Sequence, residues 1–443
     1  VGLSAIEQSK THRLDKILYN VRRDIHLRSL EHSTFPYEHY HLMAHALIYG
    51  ASGISGWSLL NQTRIYPTPT TFSRITGTTS RPFSLEKAQI PQDERIKIAS
   101  GIDLTKSADQ VAAALKEKVE DIPTVTHVFF TGTASLTSMS PSAYISAAYI
   151  QEDDFETLKQ TNTRLLENAV RAIEQLAPNL KSIILQTGGK GYGLEFPKEV
   201  GIADHIPLKE SCPRIPEPYA SKIFYYTQYD LLKHLSEGKS WTFSEVRPDG
   251  VVGFAPGTNA MNMAQGIAIY LAMYKEVHGA GATAPFPGHE HGYNSTHTDT
   301  FQDILSQMEI HAALNTDKCG NGGVFNVADG KVVTWAQAWP RLCERFGLVG
   351  GSPQSDATPM LEFVENNKNA WVTLAKRHGL NENLVDEQGW GHTNFMLVDF
   401  DFDRQYDLSR SREVGFTESI DTAEGYFNAW ERMQTAKMIP PFE

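Results

Sequence analysis

Three glycines after an apolar run are the first residues whose types and spacing indicate a chemical role. Residues 46–49 are typical of a buried strand, and Gly50, Gly53 and Gly56 follow them, just before an apolar helix start. Glycine allows the sharp turn and lets a pyrophosphate approach the backbone, and a helix N-terminus offers free N–H groups to phosphates. We therefore predict a dinucleotide-binding turn, although chance glycine loops also produce this spacing. The expected contacts come from Gly50, Ser52, Gly53, Ile54 and Gly56.

The residues after the second predicted strand bear on which dinucleotide is bound. Residues 71–77 are predicted to form this strand, and Thr78-Thr79-Ser80-Arg81-Pro82 follows it. A fold specific for NAD carries an acidic residue roughly 20 residues beyond the glycines, where it binds the ribose 2′-hydroxyl. Hydroxyl groups and an arginine suit a 2′-phosphate instead, so Ser80 and Arg81 favour NADPH over NADH. The alternative is a surface turn that contains one arginine.

Further contacts with the cofactor are expected where the other strands end. A third strand is predicted near residues 96–100, and Asp103 beyond it could accept a hydrogen bond from the adenine amino group, or could simply cap the next helix. In parallel α/β sheets, ligands bind beyond the carboxyl ends of the strands. The additional residues expected to contact the cofactor are Leu104, Thr131, Gln186, Thr187, Val251 and Val252.

A lysine and a tyrosine lie in the glycine-rich loop after the fifth predicted strand, residues 182–186. Lys190 and Tyr192 therefore stand where a nicotinamide ring is expected. The next helix contains the adjacent tyrosines Tyr225 and Tyr226. On residue type alone, these tyrosines are more typical of helix packing, and Lys190 of a solvated loop charge, than of catalysis.

Two groups of histidines could suggest a metal site. The first group lies within residues 39–45, but it lacks the glutamate that the zinc-helix motif requires. The second group lies within residues 289–297, in a stretch of small polar residues that is predicted to be a loop. We interpret both groups as surface or packing histidines and predict no metal site.

The order of the predicted elements indicates an α/β fold. Strands alternate with helices from residue 45 to about residue 255, which is typical of a doubly wound parallel sheet of the Rossmann type. We assign residues 45–255 to an NADP-binding Rossmann domain and residues 1–44 to a partly helical N-terminal extension. Residues 256–443 are predicted to form a smaller, mostly helical substrate-binding cap that is interwoven with the Rossmann domain.

The composition limits the classes of partner. The chain has 443 residues, a net charge of −12 and no basic block, which argues against binding to nucleic acid. It has no apolar run of about 18 residues and no signal-peptide pattern, so we expect no membrane association. Three scattered cysteines fit a reducing compartment. We expect a cytoplasmic protein, with a homodimer as one option.

Taken together, these residues resemble the extended short-chain dehydrogenase/reductases, and within them the progesterone 5β-reductase/iridoid synthase-like (PRISE) family. Ordinary members of the superfamily carry Tyr-x-x-x-Lys on one helix, whereas Tyr229 stands four residues after Tyr225 here. In PRISE proteins the lysine comes from the loop after the fifth strand, and Lys190 matches it. The resemblance runs from about residue 45 to the C-terminus. The segments that carry it are residues 50–56, 126–129, 185–192, 224–230, 247–248, 325–327 and 438–440.

The resemblance implies NADPH-dependent reduction of an activated C=C bond, typically in an enone or enal, within secondary metabolism. Tyr225 matches the family's catalytic tyrosine, which is expected to stabilise the enolate and contact the cofactor, and Lys190 matches the assisting lysine. The substrate is expected to be a small hydrophobic carbonyl compound bound between the two domains. The aromatic candidates for lining its pocket are Tyr192, Trp390 and Phe395, with Phe400 and His392 beside them.

Other functions of the same fold stay open, because a fold does not fix a reaction. The chain has Gly191 where the family carries a histidine, and Ile223 where it carries an asparagine. The alternatives are a carbonyl reductase, an isomerase, epimerase or cyclase that retains its nicotinamide, and a nucleotide-sensing binding protein.

Overall fold

The computed structural model describes residues 44–131, 155–257, 259 and 261–442. The predicted N-terminal extension lies outside the described residues, except for Ala44, and so do His39 and His41. The domain boundary near residue 255 stays a prediction.

A parallel sheet forms the centre of the described residues. In chain order, the strands are β1 (Ala44–Tyr49), β2 (Phe72–Thr79), β3 (Ile96–Ser100), β4 (His127–Phe130), β5 (Ser182–Gln186), β6 (Thr242–Pro248), β7 (Gly250–Val252), β8 (Thr283–Pro285), β9 (Thr296–His297), β10 (Asp299–Phe301), β11 (Gly323–Val327), β12 (Val333–Thr334) and β13 (Val349–Gly351). Seven of them form the main sheet in the order β11-β6-β5-β4-β1-β2-β3, and every neighbouring pair is parallel. The order reverses between β1 and β4, where doubly wound folds bind their ligands. The predicted Rossmann-type fold is confirmed.

Helices cover both faces of this sheet. They are α1 (Ile54–Gln62), α2 (Ala108–Lys118), α3 (Phe155–Leu176), α4 (Phe224–Ser236), α5 (Met263–His278), α6 (Glu290–Asn294), α7 (Gln302–Leu314), α8 (Thr316–Cys319), α9 (Trp335–Arg345), α10 (Met360–Asn366), α11 (Lys368–His378), α12 (Leu384–Glu387), α13 (Trp390–Asn394), α14 (Ser409–Glu413) and α15 (Thr422–Thr435). α1 packs with α7 on one face, while α3 packs against both α2 and α4 on the other. Among the helices of the described ranges, none is long and apolar enough to cross a bilayer.

The side chains of β1 explain why both faces need helices. Ala46 and Ile48 belong to the apolar core on the side of α1 and α7, whereas Leu47 and Tyr49 belong to the core on the side of α2, α3 and α4. All four are buried. Successive side chains of a strand point to opposite faces, so a strand covered on both faces requires an uninterrupted apolar run.

Two parts of the C-terminal region differ from the predicted elements. The stretch from His289 to His297, predicted to be a loop, contains α6 and β9. The short strand β9 pairs with β12, and β10 pairs with β7. These partners are distant in sequence, so no local sequence pattern predicts the two short strands. The helix α7 is also missing from the predicted elements, because its buried faces carry polar residues such as Gln302, Ser306 and Glu309.

Candidate active site

The glycine turn between β1 and α1 is shaped for close backbone contacts. Gly50 adopts a φ of +84°, and its carbonyl accepts a hydrogen bond from the Gly53 N–H at 3.0 Å. A Cβ added to Gly56 would lie only 2.1 Å from the Gly50 carbonyl oxygen. A side chain at position 56 would therefore push the helix away from the turn, which explains the glycine there.

The N-terminus of α1 is left open to an anion. Gly53 is the N-cap residue, and neither a capping side chain nor an acidic residue occurs in the first turn. Ser55 is fully buried, and its hydroxyl has no hydrogen-bond partner among the described residues. The first N–H groups and the positive dipole end of α1 thus lie, without a capping side chain, at the point where the strand order reverses. These features fit a dinucleotide pyrophosphate.

The end of β2 is joined directly to this turn. The Ala51 N–H donates to the Thr78 carbonyl at 3.1 Å. The Thr79 hydroxyl donates to the Arg81 carbonyl at 2.6 Å, which tightens the turn that follows β2. Ser80 and Arg81 are exposed on this turn. Their position beside the glycine turn is compatible with the predicted contact with a 2′-phosphate.

Asp103 lies in a local turn after β3. Its Oδ1 accepts hydrogen bonds from the Thr105 N–H at 2.9 Å and the Thr105 hydroxyl at 2.7 Å. The helix α2 is capped by Ser107, so the helix-capping interpretation of Asp103 is wrong. The Leu104 carbonyl accepts from the Asn168 side chain at 3.0 Å, which anchors the segment to α3. The adenine contact of Asp103 stays a prediction.

The ends of β4 and β5 supply hydroxyl and amide groups. The Thr131 hydroxyl donates to the Tyr49 carbonyl at 2.9 Å. The Thr187 hydroxyl donates to Glu245 Oε1 at 2.6 Å, and Arg247 Nε donates to the same carboxylate at 2.9 Å. Both threonine hydroxyls are thus engaged within the protein. Gln186 is different, because its buried Oε1 has no partner among the described residues.

The structure brings Tyr225 and Lys190 to one cleft. Tyr225 lies in the first turn of α4, and Lys190 lies in a short 3₁₀ turn of the loop after β5. A Cβ added to Gly188 would lie 3.7 Å from the Tyr225 hydroxyl oxygen, so this loop passes beside the tyrosine hydroxyl. Lys190 Nζ donates to Glu195 Oε1 at 2.7 Å. The residues that line this cleft, which we call the Tyr225 cleft, are Phe155, Leu158, Lys190, Glu195, Lys222, Ile223, Phe224 and Tyr225.

Other tyrosines fix the loop that carries Lys190. The Tyr226 hydroxyl donates to the Gly191 carbonyl at 2.6 Å and accepts from the Ile215 N–H at 3.1 Å. The Tyr192 hydroxyl donates to Asn326 Oδ1 at 2.7 Å, and burial raises the pKa of Tyr192. Tyr192 is thus a buried anchor in the described structure, whereas its predicted contact with the substrate stays a prediction. These anchoring roles have no signal in the sequence, because the partners are distant along the chain.

Tyr229 occupies the place of the lysine in the ordinary superfamily motif. Its hydroxyl donates to the Gly322 carbonyl at 2.8 Å, and its ring packs on Phe243 at a centroid distance of 5.4 Å. It therefore connects α4 to the turn before β11 rather than facing the Tyr225 cleft. A basic side chain on this turn of α4 would lose both contacts.

The predicted cofactor contacts Val251 and Val252 lie in β7, which pairs in parallel with β10. Immediately before β7, the carboxylate of Asp249 accepts from Arg404 Nη1 at 2.6 Å, and both side chains are almost fully buried. Sequence reasoning missed Arg404, since 155 residues separate the partners.

Two of the predicted aromatic pocket residues, Trp390 and Phe395, lie at the start of α13 and directly after its end. Trp390 Nε1 donates to the Val385 carbonyl at 2.7 Å, and the Phe395 ring packs on Phe400 at 4.3 Å between centroids. Burial, and then the positive charge of Lys190, lower the pKa of His392 to about 4. Contact of Trp390 and Phe395 with a substrate stays a prediction.

Two histidines of the predicted groups, His45 and His297, are buried, whereas His289 and His291 are exposed. The His45 ring binds the Thr76 hydroxyl at 2.8 Å and the Thr124 hydroxyl at 2.9 Å, and burial lowers its pKa to about 4. His297 is buried 3.8 Å from the Asp299 carboxylate. Over the ranges that the structure describes, no group of three or more histidine, cysteine or acidic side chains could hold a metal ion.

Comparison with known proteins assigns the chain to a family. The sequence model of the PRISE-like Rossmann-fold domain matches residues 46–440. This chain belongs to the PRISE-like family. It is 32% identical over 401 residues to a short chain dehydrogenase, ausT, of Aspergillus calidoustus, covering 89% of this chain and 94% of the relative. The predicted family is thus confirmed, and the PRISE-like chain is an enzyme of the short-chain dehydrogenase/reductase type.

Two further comparisons extend this assignment. The PRISE-like chain is 26% identical over 399 residues to a 3-oxo-Delta(4,5)-steroid 5-beta-reductase of Arabidopsis thaliana, covering 89% of this chain and 93% of the relative. A solved structure of UDP-glucose 4-epimerase from Thermus thermophilus, in complex with NAD, superposes with a TM-score of 0.54 at 14% identity, covering 88% of this chain and 99% of the epimerase chain. At this identity, the structural likeness shows the fold alone.

Proposed function

We propose that this PRISE-like enzyme is an NADPH-dependent reductase of a C=C bond conjugated to a carbonyl group. The observation that carries the proposal is that Tyr225 from α4 and Lys190 from the loop after β5 line one cleft. The similarity to a steroid 5-beta-reductase supports the reaction class. Tyr229 in place of a helix lysine supports the PRISE arrangement over the ordinary one.

The residues of the chain would hold the cofactor along the carboxyl edge of the sheet. The glycine turn and the start of α1 would bind the pyrophosphate, and Ser80 with Arg81 would bind the 2′-phosphate. Gln186 Oε1, which is buried without a partner among the described residues, is suited to accept a hydrogen bond at the other end of the site. The remaining predicted contacts toward the adenine and nicotinamide ends are Asp103, Leu104, Thr131, Thr187, Val251 and Val252.

Tyr225 and Lys190 would act where negative charge develops. When bound, NADPH supplies the hydride that is added to the β-carbon of the conjugated bond. The Tyr225 hydroxyl donates a hydrogen bond to the substrate carbonyl oxygen, which gathers the charge of the enolate. The Lys190 ammonium, which Glu195 holds at 2.7 Å, would assist Tyr225 from the same cleft. The α-carbon then takes a proton from solvent, so that the C=C bond gains two hydrogens and the carbonyl group is regenerated.

The test is NADPH oxidation with a panel of neutral enones, using wild type and Tyr225→Phe in parallel. Loss of one oxyanion donor lowers kcat by about 100- to 1,000-fold, and we expect a loss of this size in Tyr225→Phe with little change in the Kd for NADPH. Equal turnover by the two proteins would contradict the role of Tyr225. Product analysis separates the alternatives, because a carbonyl reductase would release an allylic alcohol. Tight NADPH binding without net oxidation would instead favour an isomerase, epimerase or cyclase that retains its nicotinamide.

A further inference from the structure

A second lysine lies in the Tyr225 cleft beside the proposed reaction site. Lys222 ends the 3₁₀ turn Ala220–Lys222, three residues before Tyr225. It lines the same cleft as Tyr225 and Lys190. The catalytic proposal gives Lys222 no role, so its position calls for a separate explanation.

Aromatic rings hold the Lys222 ammonium in place. Its Nζ lies 5.2 Å from the ring centroid of Phe155, 5.2 Å from that of Phe196 and 5.5 Å from that of Tyr219. Phe196 also packs on Tyr219, with 5.0 Å between the centroids. Ring faces attract a cation, and they bury the side-chain stem at the same time. The ammonium is thereby positioned, yet ring faces do not neutralise its charge.

Among the described residues, the charges that line the cleft do not balance. Glu195 forms its ion pair with Lys190, at 2.7 Å between Oε1 and Nζ. Among the described residues, no carboxylate lies within ion-pairing distance of Lys222. The described part of the lining therefore contains two ammonium groups and one carboxylate, although the whole chain has a net charge of −12. A partly buried cation without a counterion is unfavourable, and an anionic ligand would relieve that cost.

The phosphates of the cofactor are not the anions that this lysine would meet. They are assigned to the glycine turn at residues 50–56 and to the turn at residues 80–81. None of these residues lines the Tyr225 cleft. The anion at Lys222 must therefore belong to the other molecule that enters the cleft.

We propose that Lys222 determines substrate specificity by binding a carboxylate on the substrate. The substrate class is then an unsaturated keto acid, whose carbonyl oxygen faces Tyr225 while its carboxylate binds Lys222 between the aromatic rings. This inference rests on the proposed reductase function for the carbonyl end of the substrate. It narrows the expected hydrophobic carbonyl compound to one that also carries a negative charge.

The experiment compares a matched pair of substrates, an aryl enone that carries a ring carboxylate and the methyl ester of the same compound. kcat/KM is measured with NADPH for wild type, Lys222→Met, Lys222→Arg and Lys222→Gln. We expect Lys222→Met and Lys222→Gln to lose about 10- to 100-fold on the carboxylate and less than about 3-fold on the ester, because charge-assisted hydrogen bonds are worth about 1.5 to 3 kcal/mol. Lys222→Arg should retain the preference for the carboxylate substrate over the ester. The control is Lys233→Met, on the exposed side of α4, which should leave kcat/KM unchanged for both substrates.

Two results would overturn the proposal. An equal loss on the acid and the ester would mean that Lys222 only supports the aromatic wall, and an unchanged kcat/KM for the acid would mean that it binds no carboxylate. Circular dichroism of each variant checks that a decrease in kcat/KM is not caused by misfolding.

Calorimetric binding of the saturated keto acid and its ester, with NADP⁺ present, separates this proposal from the reductase itself. If the ester is reduced but Lys222→Met leaves acid binding unchanged, the carboxylate site fails and the reductase stands. If neither enone is reduced but Lys222→Met weakens acid binding alone, the reductase fails and the carboxylate site stands.

Discussion

The adjacent residues Tyr225 and Tyr226 show how different two neighbouring side chains of the same type can be. The Tyr225 hydroxyl lies beside Gly188, whereas the Tyr226 hydroxyl donates to the Gly191 carbonyl and accepts from the Ile215 N–H. A helix presents consecutive residues about 100° apart, and of the pair Tyr225 alone is among the described residues that line the Tyr225 cleft. The second tyrosine instead fastens the loop that carries the lysine.

Tyr226→Phe is therefore expected to lower the free energy of unfolding while reducing turnover only slightly. The change leaves a buried N–H and a buried carbonyl without their partner, and each such group costs about 1 to 3 kcal/mol. Urea unfolding should show a loss of about 1 to 3 kcal/mol, with turnover reduced far less than in Tyr225→Phe. Tyr225→Phe is the matched control, and a larger loss of stability there than in Tyr226→Phe would contradict the division of roles.

The buried histidine His45 gives stability a dependence on pH. Burial lowers its pKa to about 4, below the ordinary value of 6.5. Between these two pH values, His45 is protonated in the unfolded chain but stays neutral in the folded protein. The stability that this group contributes above pH 6.5 is therefore lost as the pH falls toward 4. In His45→Gln, the slope of the unfolding free energy against pH over this window should decrease by up to about 1.4 kcal/mol per pH unit.

Urea titrations at a series of pH values measure this slope. His234 is an exposed histidine, 77% accessible in its side chain, and His234→Gln is the control that should leave the slope unchanged. An unchanged slope in His45→Gln would show that the ring is not kept neutral by burial.

At the scale of elements, the glycine turn makes the sharpest prediction about the cofactor. A Cβ at position 56 would meet backbone atoms of Gly50 and Ala51, which cannot rotate away. Gly56→Ala should therefore weaken NADPH binding by at least about 100-fold, measured by fluorescence titration, because it displaces the N-terminus of α1. Gly238→Ala is the control, since Gly238 also has a positive φ of +70° but open space around its Cβ. If NADPH binds Gly56→Ala normally, this turn does not bind the pyrophosphate.

Elements with a regular pattern could be predicted from the sequence, and elements without one could not. The strand Ser182–Gln186 is predicted with the bounds that the structure shows, because its centre is a short apolar run that ends at a glycine-rich loop. The helix α7 has buried polar side chains on its faces, and β9 and β10 are only two and three residues long. Their stability comes from tertiary contacts that leave no local period.

The residues of the candidate site also fall into those that the sequence predicts and those that it does not. Glycine spacing and the displaced lysine are local signals, so Gly56, Lys190 and Tyr225 were accessible to sequence reasoning. Glu195, Lys222 and Arg404 were not, because their significance lies in which side chains they meet in the folded protein. A salt bridge or a cation over rings has no sequence motif, and the fold has to place it.

At the scale of the whole molecule, Arg404 joins the C-terminal region to the end of β6. Its guanidinium lies between Asp249 and Asp299, and Tyr426 donates to the Asp299 carboxylate at 3.0 Å. Burial raises the pKa of Asp249 to about 6 despite the nearby arginine. Desolvation therefore offsets part of the favourable interaction between Asp249 and Arg404. Its contribution is to fix where β7 begins, and β7 carries Val251 and Val252.

Arg404→Met is expected to destabilise the protein by about 3 to 5 kcal/mol, because it leaves buried carboxylates without a counterion. The matched control is Arg341→Met, which removes an exposed ion pair with Asp421 and should cost at most about 1 kcal/mol. Urea unfolding measures both. Equal effects of the two substitutions would mean that the buried pair does not hold the C-terminal region to the sheet.

The same ion pair has a consequence for synthesis on the ribosome. Chains grow at about 5 to 20 residues per second, so the 155 residues between Asp249 and Arg404 take on the order of 10 seconds to be made. During that interval β1, the glycine turn and α1 have all emerged, while β7 still lacks the arginine that fixes its start. The nascent chain therefore contains its glycine turn well before it can form the buried ion pair that fixes the start of β7.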